Sequence, residues 1–273
     1  MTVVGTPPPL PVRGKAGARE RSQGQGQSGL SPMLTRLADE RATGVLVREH
    51  GTLHLTAGRV VHAESPLSPG LDVLLTARGA LAPADWRQAT DQAGSPLGAV
   101  RLLLTVGRLA TGALELCHLE ALYDAGYFAL APSSTPGRFR YGAAVPPSPL
   151  RPVPVTALER ETLRRRALLH RIWPDPVTDS APLIRADPVA APPVTPRQRA
   201  VLERLDGVRT ASDIARELGR KAFHTLVDVR RLAAAGLVSP GTTAPGPAPP
   251  LFPQVTDPDI ALLKRLRNAL ESL

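Results

Sequence analysis

Arg209, Arg220, Lys221, His224, Thr225 and Arg231 lie close together in the chain and combine cations with short polar side chains. Guanidinium and ammonium groups neutralise phosphates, and a histidine and a threonine on one helical face could reach base edges. The chemistry such a set could perform is nucleic-acid contact. Arg209 and Arg231 would clamp phosphates. Arg220 and Lys221 would lead a helix into the major groove, with His224 and Thr225 as the base readers. Asp228 works against this, because it puts an anion on the supposed reading side, and Ala222 and Thr225 are short. The same helix therefore also reads as a protein-docking surface. A second set, Leu263, Leu266 and Leu270, forms part of an apolar stripe suited to a partner protein or a second copy.

Other chemistries find little support. Gly24-Gln25-Gly26 precedes no helix and makes no phosphate loop, and neither a nucleophile elbow nor an HExxH motif occurs. Cys117 beside His118, and Asp124 near Tyr127, are the only reactive-looking neighbours, and adjacent helical residues point about 100° apart. No catalytic residue and no cofactor is expected. Cys117 is the sole cysteine, which excludes an internal disulfide and a cysteine-based zinc site. His50, His54 and His62 invite a metal reading. A plain hairpin register, however, faces Leu53 with His62 and sends His54 to the other side with Val61, so no metal site is expected.

The basic set must be positioned by Thr195 to Pro240, which reads as three helices. Thr195 caps the first, with Pro196 at its first position and Ala200, Val201, Leu202 and Leu205 turned inward. Asp206-Gly207 turns the chain, Thr210 caps the second helix with Asp213 three residues on, and Ile214, Ala215 and Leu218 face inward. Gly219 stops it in the left-handed conformation. The third helix carries Phe223, Leu226, Val227 or Val229, and Leu232, and Gly236 ends it before a strand at Leu237-Val238. Gly241 to Pro250 is too proline-rich for a second wing strand. This order of turns and stripes is similar to winged helix-turn-helix domains of bacterial regulators. The resemblance implies a DNA reader or, in members without DNA contact, a docking or dimerisation module.

Upstream, Ser31-Pro32 opens a helix. Strands are expected at Gly44–Val47, Thr52–Leu55 and Arg59–Ala63, joined by turns at Glu49-His50-Gly51 and Ala57-Gly58. Helical hairpins follow between Gly70 and Leu130, and Gly137 to Tyr141 alternates as a further strand. Thr43-Gly44-Val45-Leu46, then Ala57-Gly58-Arg59-Val60-Val61-His62-Ala63, then Pro136 to Tyr141 resemble the PatA-type N-terminal module. That resemblance implies a bacterial signalling domain found beside response-regulator, Roadblock-like and DNA-binding partners, as in actinobacterial regulatory proteins. The family has no agreed catalytic residues, so none is carried over.

The expected organisation is a disordered tail at 1–30 and a PatA-like domain at 31–145. A linker at 146–194 bears a basic helix at 155–173, with a Thr156/Glu159 capping box and solvated arginines. The winged helix-turn-helix occupies 195–240, a proline-rich linker 241–255, and an amphipathic helix 256–273. The fold class is α+β: a small mixed α/β domain plus a winged helix-turn-helix, with long Pro-rich disordered segments. The formal charge of +9 favours a polyanionic partner. No apolar run approaches the ~18 residues of a membrane span, so no membrane insertion is expected. Prolines stand near the N-terminus where a secretion signal would have its apolar core, so a cytoplasmic protein is expected. The functional expectation is a non-enzymatic, DNA-binding transcriptional regulator with an N-terminal signal or docking module. The alternative is a signalling adaptor whose winged helix and C-terminal helix bind proteins of a Roadblock-like or small-GTPase system.

Overall fold

Ala57 and Gly58, at φ 48° and 74°, form a two-residue turn whose twist suits a tight hairpin. It joins β2 (Gly51–Thr56) to β3 (Arg59–Glu64), and β1 (Gly44–Arg48) precedes them. The computed structural model of the chain describes residues 31–143, 151–187 and 192–241. The tail at 1–30 and the stretch 242–273, with Leu263, Leu266 and Leu270, lie outside the described residues.

The described chain is mixed α+β with an antiparallel sheet. It opens with α1 (Pro32–Asp39) and the three strands, then runs through α2 (Leu71–Ala77), α3 (Pro83–Ala93), α4 (Pro96–Thr105) and α5 (Thr111–Ala129). β4 (Arg138–Tyr141) and β5 (Val153–Pro154) return to the sheet, whose order among the described residues is β4-β1-β2-β3-β5. Leu46, Leu53, Leu55 and Val60 of the sheet pack against Leu122, Ala125 and Ala129 of α5, with Leu34 and Leu37 of α1 closing the layer. A second cluster, including Leu74, Leu75, Leu103, Leu114 and Cys117, joins α2 and the α3–α4 hairpin to the start of α5.

The hairpin register differs from the plain one. Leu55 pairs with Val60, but a bulge follows, so His54 pairs with His62 and Leu53 with Ala63. The extra residue on β3 moves His62 onto the His54 position, and the two rings stand 5.4 Å apart. Among the described residues, no group of three or more His, Cys, Asp or Glu is arranged to hold a metal ion.

The expected linker is also corrected. α6 (Val155–Ile172) follows β5 directly and buries Val155, Leu158, Thr162, Arg165 and Leu169. Pro154 occupies its cap position without a side-chain bond, so Thr156 and Glu159 form no capping box. Glu159 instead accepts the backbone N–H of Ser31 at the start of α1. Gly126 lets α6 approach α5 closely, since a methyl there would stand 2.7 Å from Leu158 Cδ1. The rest of the expected linker contains α7 (Val177–Ser180) and β6 (Leu183–Arg185).

The remaining elements are α8 (Pro196–Leu202), α9 (Ala211–Glu217), α10 (Ala222–Ala234) and β7 (Val238–Pro240). Thr195 with Gln198, and Thr210 with Asp213, make complete capping boxes at α8 and α9. β7 finds its partner upstream, pairing antiparallel with β6. The core of this three-helix unit includes Ile214, Leu226, Val229 and Leu232, and it also takes in Phe128 of α5 and Leu169 of α6. No described helix is long and apolar enough to cross a membrane.

Candidate functional site

α10 is the helix on which the expected site depends, and it lies against α5, α6, α7, α8 and α9. Its stripe of Phe223, Leu226, Val229 and Leu232 is buried as the sequence periodicity requires. Thr225 and Asp228, which the sequence places on its outward side, are buried as well, and so is Arg230. Thr225 is 1% exposed and its hydroxyl donates back to the Lys221 carbonyl at 3.4 Å. It is therefore not placed as a base reader.

The N-terminus of α10 is closed by another helix. Asp124 of α5, fully buried, accepts the backbone N–H of Ala222 at 2.6 Å and of Phe223 at 3.0 Å. These are donors that the helix itself leaves without partners. Burial pushes the Asp124 carboxyl above its ordinary range, while the two N–H donors and Arg165, at 3.6 Å, pull the other way. The carboxylate thus serves as an N-cap supplied from a distant segment, favoured by the positive end of the helix dipole.

Around this contact the charges are paired internally. Lys221 Nζ donates to Glu120 Oε1 at 3.0 Å, and Arg78 flanks the same carboxylate. Arg165 donates to the Tyr123 carbonyl at 3.0 Å and to Glu161 at 2.8 Å, and its guanidinium lies 4.6 Å from the Phe223 ring centroid. Arg164 and Arg165 together hold the Glu161 carboxyl down at about 2. Asp228, expected on the outward side, is buried and accepts from Arg197 at 3.1 Å. Arg230 forms a forked pair with Asp179 at 2.8 and 2.6 Å and also donates to the Trp173 carbonyl.

The other expected contact residues differ in their surroundings. Arg209 pairs with Asp206 at 3.1 Å and Glu217 at 3.2 Å. Arg220 donates to the Arg197 carbonyl at 3.5 Å, and Arg231 is exposed. His224 is half-buried, and burial, with Lys221 nearby, pushes its imidazole down to about 4. Arg209, Arg220 and Lys221 thus spend donors on partners within the chain.

A third contact fixes the turn between α9 and α10. A methyl on Gly219 would stand 2.3 Å from Ala77 Cβ of α2, and Arg216 donates to the Pro66 carbonyl. Glu120, Asp124, Arg165 and Ala77 thus belong to the site, and none was singled out as such from the sequence. One signal was available: Asp124 interrupts the otherwise uncharged run from Ala121 to Ala129, and an acid buried in such a run needs a partner. No family model, curated protein or solved structure matches this chain.

Proposed function

We propose that the protein is a non-enzymatic bacterial regulator that works as a signalling adaptor. In this reading a winged helix-turn-helix is held in cis against a PatA-like module. The β6–β7 ribbon beside three capped helices supports the winged reading, with the wing partner drawn from upstream of the helices. The observation that carries the adaptor reading is the Asp124 cap on Ala222 and Phe223. A helix whose first turn holds a buried carboxylate, and whose Thr225 is enclosed, does not offer its leading end to a groove. Roadblock-like or small-GTPase proteins are the partners that the resemblance suggests.

Surface cations favour DNA as the second reading, since Arg231 is exposed and Arg199 lies exposed on α8. Titration of the full chain into a fluorescent duplex library at low and high salt separates the two. For an adaptor, binding stays in the weak non-specific range of about 10⁻⁴–10⁻⁶ M at physiological salt. Nanomolar binding that falls steeply with salt and is lost in Arg209→Ala/Arg231→Ala would overturn the adaptor reading in favour of the regulator of transcription.

A further inference from the structure

Away from α10, a cavity of about 640 Å³ opens between the end of β3, the start of α2, the α3–α4 hairpin and α5. That is the size of a small-molecule site, for which ~300–1,000 Å³ is usual. Leu114, Ala121 and Ala125 of α5 and Val100 of α4 give it an apolar floor. Ala121 and Ala125 are one helical turn apart, and Gly98 also lines the space, so small residues keep it open. Trp86 contributes an aromatic wall.

The polar lining is sparse and already organised. His62 and Glu64 engage each other at 3.0 Å. His118 stacks on His62 at 5.8 Å and is tied to the Val61 carbonyl at 3.0 Å. A carbonyl can only accept, so that bond fixes the proton of His118 on Nε2. Asp72, in the first turn of α2, brings its Oδ1 over Gly70. The described lining residues include two carboxylates, Glu64 and Asp72, and one guanidinium, Arg101, which is engaged in an interaction of its own.

We infer that this cavity is a binding site for a small, mainly apolar amine. The floor takes the apolar body, the Trp86 face attracts a cation, and Asp72 supplies the counter-charge. With two carboxylates against one guanidinium in the described lining, an anion of the same shape is disfavoured. None of these lining residues belongs to α10.

The test uses the full chain carrying Trp173→Phe, so that Trp86 is the fluorophore. The probes are phenethylamine, 3-phenylpropionate (a similar ring and chain with opposite charge) and the neutral dye Nile red. Phenethylamine should change Trp86 emission saturably and displace Nile red, and the carboxylate should bind at least tenfold more weakly. Asp72→Asn should erase most of that preference while Nile red still binds. Ala121→Leu should fill the floor and remove both probes, with its melting curve showing that it is folded. Equal binding of amine and acid, an unchanged preference in Asp72→Asn, or no saturable binding of any probe would overturn the inference.

Discussion

Asp124 Oδ1 lies 3.0 Å from the amide nitrogen of Phe223, so a side chain of α5 caps a helix 99 residues further along the chain. Removing that carboxylate leaves two buried N–H donors without their acceptor and takes a nearby counter-charge from Arg165. Asp124→Ala should therefore cost about 2–4 kcal/mol in chemical denaturation. Asp124→Asn should cost less, because one amide oxygen can still accept. A loss below about 0.5 kcal/mol for the alanine variant would show that the cap contributes little.

Gly219 and Gly236 separate backbone strain from contact. Both have positive φ, 61° and 71°, but a methyl at Gly236 meets open space whereas one at Gly219 collides with Ala77. Gly236→Ala should cost about 1 kcal/mol. Gly219→Ala should cost at least about 1 kcal/mol more, part of which Ala77→Gly restores. Equal losses in the two alanine variants would mean that α2 does not press on the α9–α10 turn.

Arg230 is buried and forked to Asp179, so Arg230→Met should destabilise by about 2–4 kcal/mol, as breaking a buried pair does. Adding Asp179→Leu removes the abandoned carboxylate and should recover much of the loss. Unfolding curves of the two single variants and the double variant measure the coupling. Strict additivity would contradict a specific pair.

Stability should fall on mild acidification. Burial pushes His118 and His224 down to about 4, below the ordinary 6.5. Each imidazole is neutral when folded and takes a proton more readily when unfolded. Their contribution is complete above pH ~6.5 and is lost as the pH falls towards 4. For His118 the loss by pH 5 is about 2 kcal/mol. Denaturation midpoints at pH 7, 6 and 5 should decline, and more gently in His118→Gln. A flat wild-type profile over that range would contradict neutral buried histidines.

What the sequence disclosed was local. Thr195 and Thr210 cap their helices, Gly219 stops α9, and Ala57-Gly58 turns the hairpin, because each is decided by neighbours within a few residues. What it did not disclose was long-range. The bulge beside His54 lies in the pairing of β2 with β3 and not in either strand's own pattern, and Glu159 meets Ser31 from 128 residues away. The arginines of α6 looked solvated because periodicity marks apolar faces and is silent about arginines that enter a core with their own acids. The expected contact residues were therefore legible as a cluster in the sequence, but not in their surroundings.

Phe128 sits in the core of the three-helix unit, although it belongs to the helix that lines the sheet. A fragment starting near Thr195 would lack that ring, and it would also lack Asp124 to cover the first amides of α10. It would display a hollow and a bare helix end that the whole chain keeps hidden. Affinities measured on such a piece would describe a surface created by the cut, so the smallest unit on which to assay this protein includes α5.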